Sequence, residues 1–169
     1  MRSVGVSGPG LAGPQPVAGV SAPGSRRSFR GRPLAPGTAQ APALVLDQPL
    51  SFWGGMDAGT GRVIDPHHPQ LGAELQGRVV FMPSGRGSSS SSSVLAEAVR
   101  LRTAPAAVVL GVADPIVAVG SIVAAELYGR RVPVVTLEAP DYGSVSTGDL
   151  VTVEAGAGGA AIIVEDAPA

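Results

Sequence analysis

Three short apolar runs, Arg78–Met82, Ala106–Leu110 and Val132–Leu137, are separated by two stretches with helical spacing. That alternation constrains the fold more than any other feature of the chain. Each run reads as a short strand, and Arg78–Met82 has the pattern of a buried one. Val94–Arg102 places Leu95, Ala98, Val99 and Arg102 along one helical face. The second helix is punctuated, with Asp114 as N-cap, Pro115 at its first position and Gly129 just past its end. Its body, Ile116–Leu127, is apolar nearly all round apart from Ser121 and Glu126, so it calls for cover on more than one side, a second chain being one candidate. Leu150–Glu154 and Ala161–Glu165 read as a hairpin across the Gly156–Gly159 loop. Together these elements predict an α+β domain: a mixed sheet with βαβ units, helices on one face and a C-terminal hairpin.

Ala43–Leu46 reads as a further short strand and Arg62–Ile64 as another. Between them, Leu50-Ser51-Phe52-Trp53-Gly54-Gly55 leads into the turn-rich segment 56–61. Asp65-Pro66-His67-His68-Pro69 is a loop, because two prolines forbid regular structure there. The first residues are Gly, Pro, Ala, Val and Ser with almost no periodicity. Residues 1–27 are therefore expected to be a disordered tail and 28–166 the folded domain, starting near Phe29. Ser25-Arg26-Arg27-Ser28-Phe29 resembles a twin-arginine export signal, but Arg30, Arg32, Pro33 and Pro36 stand where the apolar stretch belongs.

Composition removes several kinds of chemistry. The sequence contains no Cys, so disulfides, thiolate catalysis and a cluster held by this chain's own thiolates are excluded. All 12 basic residues are Arg, which excludes a Schiff-base or P-loop lysine. Its two histidines are adjacent, too few for a His-rich metal site, and no metal site is expected. A net charge of −1 gives no electrostatic footprint for nucleic acid, and no apolar run is long enough to span a bilayer. The chain reads as a soluble, cytoplasmic domain with neither nucleic acid nor membrane as partner. With aromatics at only 4%, small aliphatic residues must build the core.

The segment that can carry chemistry is Ser84-Gly85-Arg86-Gly87 followed by six serines, Ser88–Ser93. It lies between a buried strand and a helix N-terminus, where unpaired N–H groups and the helix dipole favour an anion. Gly85 and Gly87 let the backbone approach a ligand, and Arg86 offers a bidentate fork for a carboxylate or phosphate. The same local field favours ionisation of a serine at the helix start, and an ionised serine can take a proton from carbon. The competing reading is a flexible serine linker ending in an ordinary N-cap. Walker A is excluded for want of Lys, and a dinucleotide turn because the glycine pattern stops at Ser90. Trp53 lines the site or plugs the core. His67 and His68 touch substrate or partner, or are solvated loop residues. Asp65 orients Arg62 or a histidine, or caps its loop, and Asp114 is a helix cap.

Four ordered motifs carry a resemblance. They are Leu50–Gly55, then Thr60–Asp65 with His67-His68-Pro69, then Met82–Ser89, then Thr103-Ala104-Pro105-Ala106-Ala107. Over about Phe29 to Val164 they resemble the aconitase X swivel-domain family. The resemblance implies a swivelling β/β/α domain, the small subunit of a heterodimer or higher assembly, active only with a large subunit that carries an iron–sulfur cluster. It also implies a hydro-lyase acting on a small hydroxy acid, with cis-3-hydroxy-L-proline favoured and phosphomevalonate the alternative. Archaeal phosphomevalonate members tend to have Lys where this chain has Arg86 and His where it has Ser84. By the same resemblance Ser88 is the proton acceptor; on the residues themselves, Arg86 with the loop at Gly85, Gly87 and Ser89 would hold the substrate's anionic group, and Trp53 and His68 are candidates for substrate binding. The partner's iron would draw off the hydroxyl as a Lewis acid. A non-catalytic anion-binding module remains the alternative from another class.

Overall fold

The computed structural model describes residues 25–167. Most of the expected tail, residues 1–24, lies outside the described residues.

Three parallel strands, β5 (Val79–Met82), β6 (Ala107–Leu110) and β7 (Val134–Thr136), occupy the three apolar runs. Every side chain of β5 and β6 is buried. Alternation sends Val79, Phe81, Val109 and Val135 into one core, with Val153 and Ile162 from the opposite wall. It sends Val80, Met82, Val108 and Leu110 into a second core, against Leu95 and Val117 of the helices. The result is three layers, sheet on sheet on helix, and the helix layer is α2 (Ser91–Leu101) and α3 (Pro115–Tyr128). The opposite wall holds the expected hairpin, β8 (Leu150–Gly156) with β9 (Gly159–Glu165), paired antiparallel.

The sheet does not stay open. Two long strands, β1 (Arg26–Ala35) and β2 (Gly37–Val45), belong to both walls and close a seven-stranded barrel in the order β1-β7-β6-β5-β2-β8-β9. β1 pairs with β9 through Arg26–Gly31 and with β7 from Arg32 onward. β2 pairs with β8 through Gly37–Pro42 and with β5 through Ala43–Val45. The expected mixed sheet with its βαβ units is present, but it closes into a barrel, which the sequence reading did not foresee. β1 also opens at Arg26, ahead of the expected start near Phe29, and takes in the twin arginines. It carries arginines at alternating exposed positions (Arg26, Arg30, Arg32) and has Gly31 and Pro33 within it, so it offers no apolar run. Gly31 stands where β1 leaves β9 for β7. A Cβ there would lie 2.7 Å from both Ile162 Cδ1 and the Thr136 carbonyl, so the corner needs glycine.

The helices follow their punctuation. Asp114 accepts hydrogen bonds from the N–H groups of Ile116 (2.7 Å) and Val117 (3.4 Å), and Gly129 ends α3 in the left-handed region. α2 starts at Ser91, three residues before the expected Val94, so half of the serine run is helix. The two helices touch at Gly120, where a Cβ would come within 2.8 Å of the Ser92 carbonyl oxygen.

Two short elements shape the rim beside β5: α1 (Phe52–Gly55), and a two-strand ribbon of β3 (Met56–Asp57) with β4 (Arg62–Val63). A last single turn, α4 (Ala139–Tyr142), follows β7.

Candidate functional site

β5 and β6 run parallel and each hands over to a helix, so the N-termini of α2 and α3 meet at one edge of the barrel. That is where an open α/β sheet offers its ligand crevice. Gly111 and Val112, just past β6, donate to the carbonyls of Met82 (3.2 Å) and Pro83 (2.9 Å), drawing the two handovers together. Gly85 then pairs with Leu50 in a parallel bridge. A Cβ on Gly85 would fall 1.8 Å from Asp114 Oδ2, so only glycine lets the loop cross the cap of α3. Gly87 has φ +92°, and a Cβ on it would lie 2.6 Å from Ser51 Oγ. Both glycines therefore fix the path of the loop, whatever the backbone does with a ligand.

Ser88 is exposed at the head of α2. Its Oγ accepts the Ser90 N–H at 3.2 Å and its carbonyl accepts the Ser91 N–H at 3.0 Å. The N–H groups of Ser88 and Ser89 find no partner among the described residues. A hydroxyl that already receives one amide proton, next to two open amides, sits in a field that favours negative charge. The serine run is thus an ordered turn and helix start, not a loose linker.

Arg86 is half-exposed and its Nη2 donates to Asp65 Oδ2 in an ion pair. Asp65 Oδ1 accepts the His67 N–H at 2.9 Å. That backbone bond, and next the Arg86 guanidinium, hold the Asp65 carboxyl below its ordinary 3.8 despite some desolvation. Arg86 Nε and Nη1 have no partner among the described residues, so the guanidinium is anchored on one side and open on the other. Asp65 thus caps its loop, as one sequence reading held, and also positions Arg86. It does not orient Arg62, which meets Glu74 at 3.6 Å.

Trp53 is 59% exposed, which removes the core-plug alternative. Its backbone N–H donates to Ser91 Oγ at 3.1 Å, and its carbonyl accepts from Ser51 Oγ at 2.7 Å. Ser91 is only 3% exposed, and its Oγ lies 3.2 Å from Ser51 Oγ. This hydroxyl knot ties the Trp53 turn to the base of α2. Nothing in a run of six identical residues distinguishes Ser91, so the sequence reading missed it.

The structure does not bring His68 to the loop. It is buried at 4%, with Nδ1 accepting the Gln70 N–H at 3.1 Å and Nε2 3.2 Å from the Gln48 carbonyl. Both ring nitrogens are engaged inside the chain, as befits a residue that braces the 65–70 turn; His67 beside it is exposed. Ser88, Ser89, Arg86, Gly85, Gly87 and Trp53 do share one rim. No group of three or more His, Asp or Glu fit to hold a metal occurs among the described residues.

Residues 28–162 match the model of the aconitase X swivel domain. The chain belongs to this family. The swivel domain is 47% identical over 106 residues to the cis-3-hydroxy-L-proline dehydratase of Pseudomonas aeruginosa, covering 63% of this chain and 18% of that protein. It is 38% identical over 131 residues to the phosphomevalonate dehydratase small subunit of Methanocella arvoryzae, covering 77% of this chain and 95% of that one. Its fold superposes on the crystal structure of Thermococcus kodakaraensis aconitase X with a TM-score of 0.71 at 30% identity, covering 82% of this chain and 98% of that one. The chain thus spans less than a fifth of the length of the Pseudomonas dehydratase, and almost all of the archaeal small subunit.

Proposed function

We propose that this swivel domain is the small subunit of a hydro-lyase of the aconitase X type, and that Ser88 Oγ takes the proton from the carbon next to the substrate's carboxylate. In that 1,2-elimination the Cα–H electron pair becomes the C=C bond, and the Cβ–OH bond breaks with the hydroxide leaving. The proton carried by Ser88 passes to that hydroxide, so that water is the second product and Ser88 returns to its ionised form. The observation that carries the reading is the placing of Ser88. It stands at the head of α2 with the Ser90 N–H on its oxygen and an anchored arginine two residues before it. The amide donor and the helix dipole stabilise the oxygen as a base, and Arg86 with the open amides at 88 and 89 holds the substrate's anionic group. Asp65 keeps Arg86 turned to the rim. Trp53 borders the same rim and shields the reacting carbon from water.

An iron–sulfur cluster enters this proposal only as a group of the large subunit. This chain's residues do not fit one, having no cysteine and no cluster of other ligands among the described residues.

The favoured substrate is cis-3-hydroxy-L-proline, with phosphomevalonate second. Relatives named for both reactions occur, and the resemblance implies Lys and His in archaeal phosphomevalonate members where this chain has Arg86 and Ser84. Mixing the chain with the aconitase-X-type large subunit of its own organism tests this. Dehydration of the hydroxyproline by the mixture, and none by either chain alone, is the expected result. Turnover by this chain alone, or none with either acid in the mixture, overturns the reading.

A second reading, a non-catalytic anion-binding module, draws on the two open amides at the head of α2. It requires that the chain alone bind inorganic phosphate, with amide shifts confined to residues 85–90 in a nuclear magnetic resonance titration.

A further inference from the structure

The outer face of α3 is apolar and bare. Val119 is 49% exposed, Ile122 44%, Val123 40% and Leu127 65%, and these residues fall on one helical stripe. Glu126 is the one charged residue in α3. Aliphatic side chains at such exposure, aligned over more than two turns, mark an association surface more than a solvated helix.

Where the stripe leads decides what covers it. At its N-terminal end a shallow groove of about 210 Å³ is lined by Ser89 and Ser92 of the serine segment and by Pro115, Ile116 and Val119 of α3. Val112, 65% exposed, lies beside the same loop through its hydrogen bond to Pro83. On the other side of the loop stands Trp53, tied to Ser91 and 59% exposed. The groove thus joins the serine segment directly to the head of the α3 stripe at Val119. A body seated over Ser89 and Ser92 meets Val119 in the same groove.

We infer that the stripe Val119–Ile122–Val123–Leu127, with the groove at its head, is the seat of the large subunit. This rests on the reading of the chain as a hydro-lyase subunit. A second copy of this chain is disfavoured, because an α3–α3 pair would cover Val119 and the groove it shares with Ser89 and Ser92, which a catalytic partner must reach. The region matched in the Pseudomonas dehydratase is only 18% of that chain, so in that relative most of the chain lies outside the match and is available to cover it.

The chain has no cysteine, so one can be introduced as a reporter. Val123→Cys, on the stripe, and Glu154→Cys, on the exposed side of β8 in the opposite wall, are each treated with maleimide, and adducts on this chain are counted by mass spectrometry. With the large subunit present, labelling at 123 is expected to slow on the order of 10-fold or more, while labelling at 154 stays unchanged. In parallel, Val119→Asp/Ile122→Asp is expected to weaken assembly on the order of 10-fold or more, since a charge is forced into a desolvated aliphatic contact, with circular dichroism and Tm unaltered. Unchanged labelling at 123 in a complex that forms overturns the inference and leaves the role of Ser88 standing. Protection at 123 in the chain alone, with sedimentation as a dimer, assigns the stripe to a second copy and also overturns it. Failure of the unaltered chain to bind the large subunit overturns both this inference and the proposed function.

Discussion

The residues that matter at the rim act through their neighbours. Arg86 carries the positive charge, but Asp65, 21 positions earlier, fixes where that charge points. The lowered Asp65 carboxyl gives a pH dependence with a definite sign. A carboxyl depressed by the fold contributes stability that is present above the unfolded value and is lost as pH falls through the folded one. Titration of the Asp65 carboxyl carbon by nuclear magnetic resonance should give a midpoint below 3.8, with the Arg86 anchor intact from pH 5 to 8. A midpoint at or above 3.8 would mean that the His67 amide and Arg86 do not hold the carboxylate. Much of this scale was legible in the sequence where the rule is local. Asp114 and Gly129 cap α3 as their types and spacing predict. Asp65–Arg86, Ser91–Trp53 and the burial of His68 were not legible, because each joins segments brought together only by folding.

At the scale of elements, the parallel strands, both long helices and the terminal hairpin follow from periodicity and punctuation. β1 and β2 do not. Each is half-exposed, interrupted by glycine or proline, and shared between two walls, so neither shows the continuous apolar run of a central strand. The close crossing of α2 and α3 is likewise invisible in sequence, since Gly120 lies inside an apolar helix with no turn to justify it. Its reason is the Ser92 backbone 2.8 Å from where a Cβ would sit. Gly120→Val should force the helices apart and cost about 1–3 kcal/mol, the usual range for overpacking a tight contact. Because Ser92 belongs to the first turn of α2, the displacement reaches the serine loop. Denaturant unfolding should show the loss of stability, and the same variant assembled with a large subunit should lose activity. An unchanged midpoint would show that the helices are not wedged at this point.

For the whole molecule, the barrel and the helix layer divide the work. The barrel wall β8–β9 and the long strands give the frame, in which Arg27 ion-pairs with Asp149 and Asp166. The helix layer carries the rim where Ser88, Arg86 and Trp53 converge and where the bare stripe of α3 begins. The family to which the chain belongs could be read from four ordered motifs, whereas closure of the sheet into a barrel required the structure. The central claim, that Ser88 is the base, rests on one oxygen, and loss of the α-hydrogen from deuterated substrate reads that oxygen directly. In the assembled enzyme, Ser88→Ala should slow both hydrogen loss and dehydration by about 10²–10⁴-fold, the range for removing a general base, while Ser89→Ala and Ser90→Ala stay within about tenfold of the parent. Hydrogen loss at the parent rate in Ser88→Ala, with the complex intact, would contradict it.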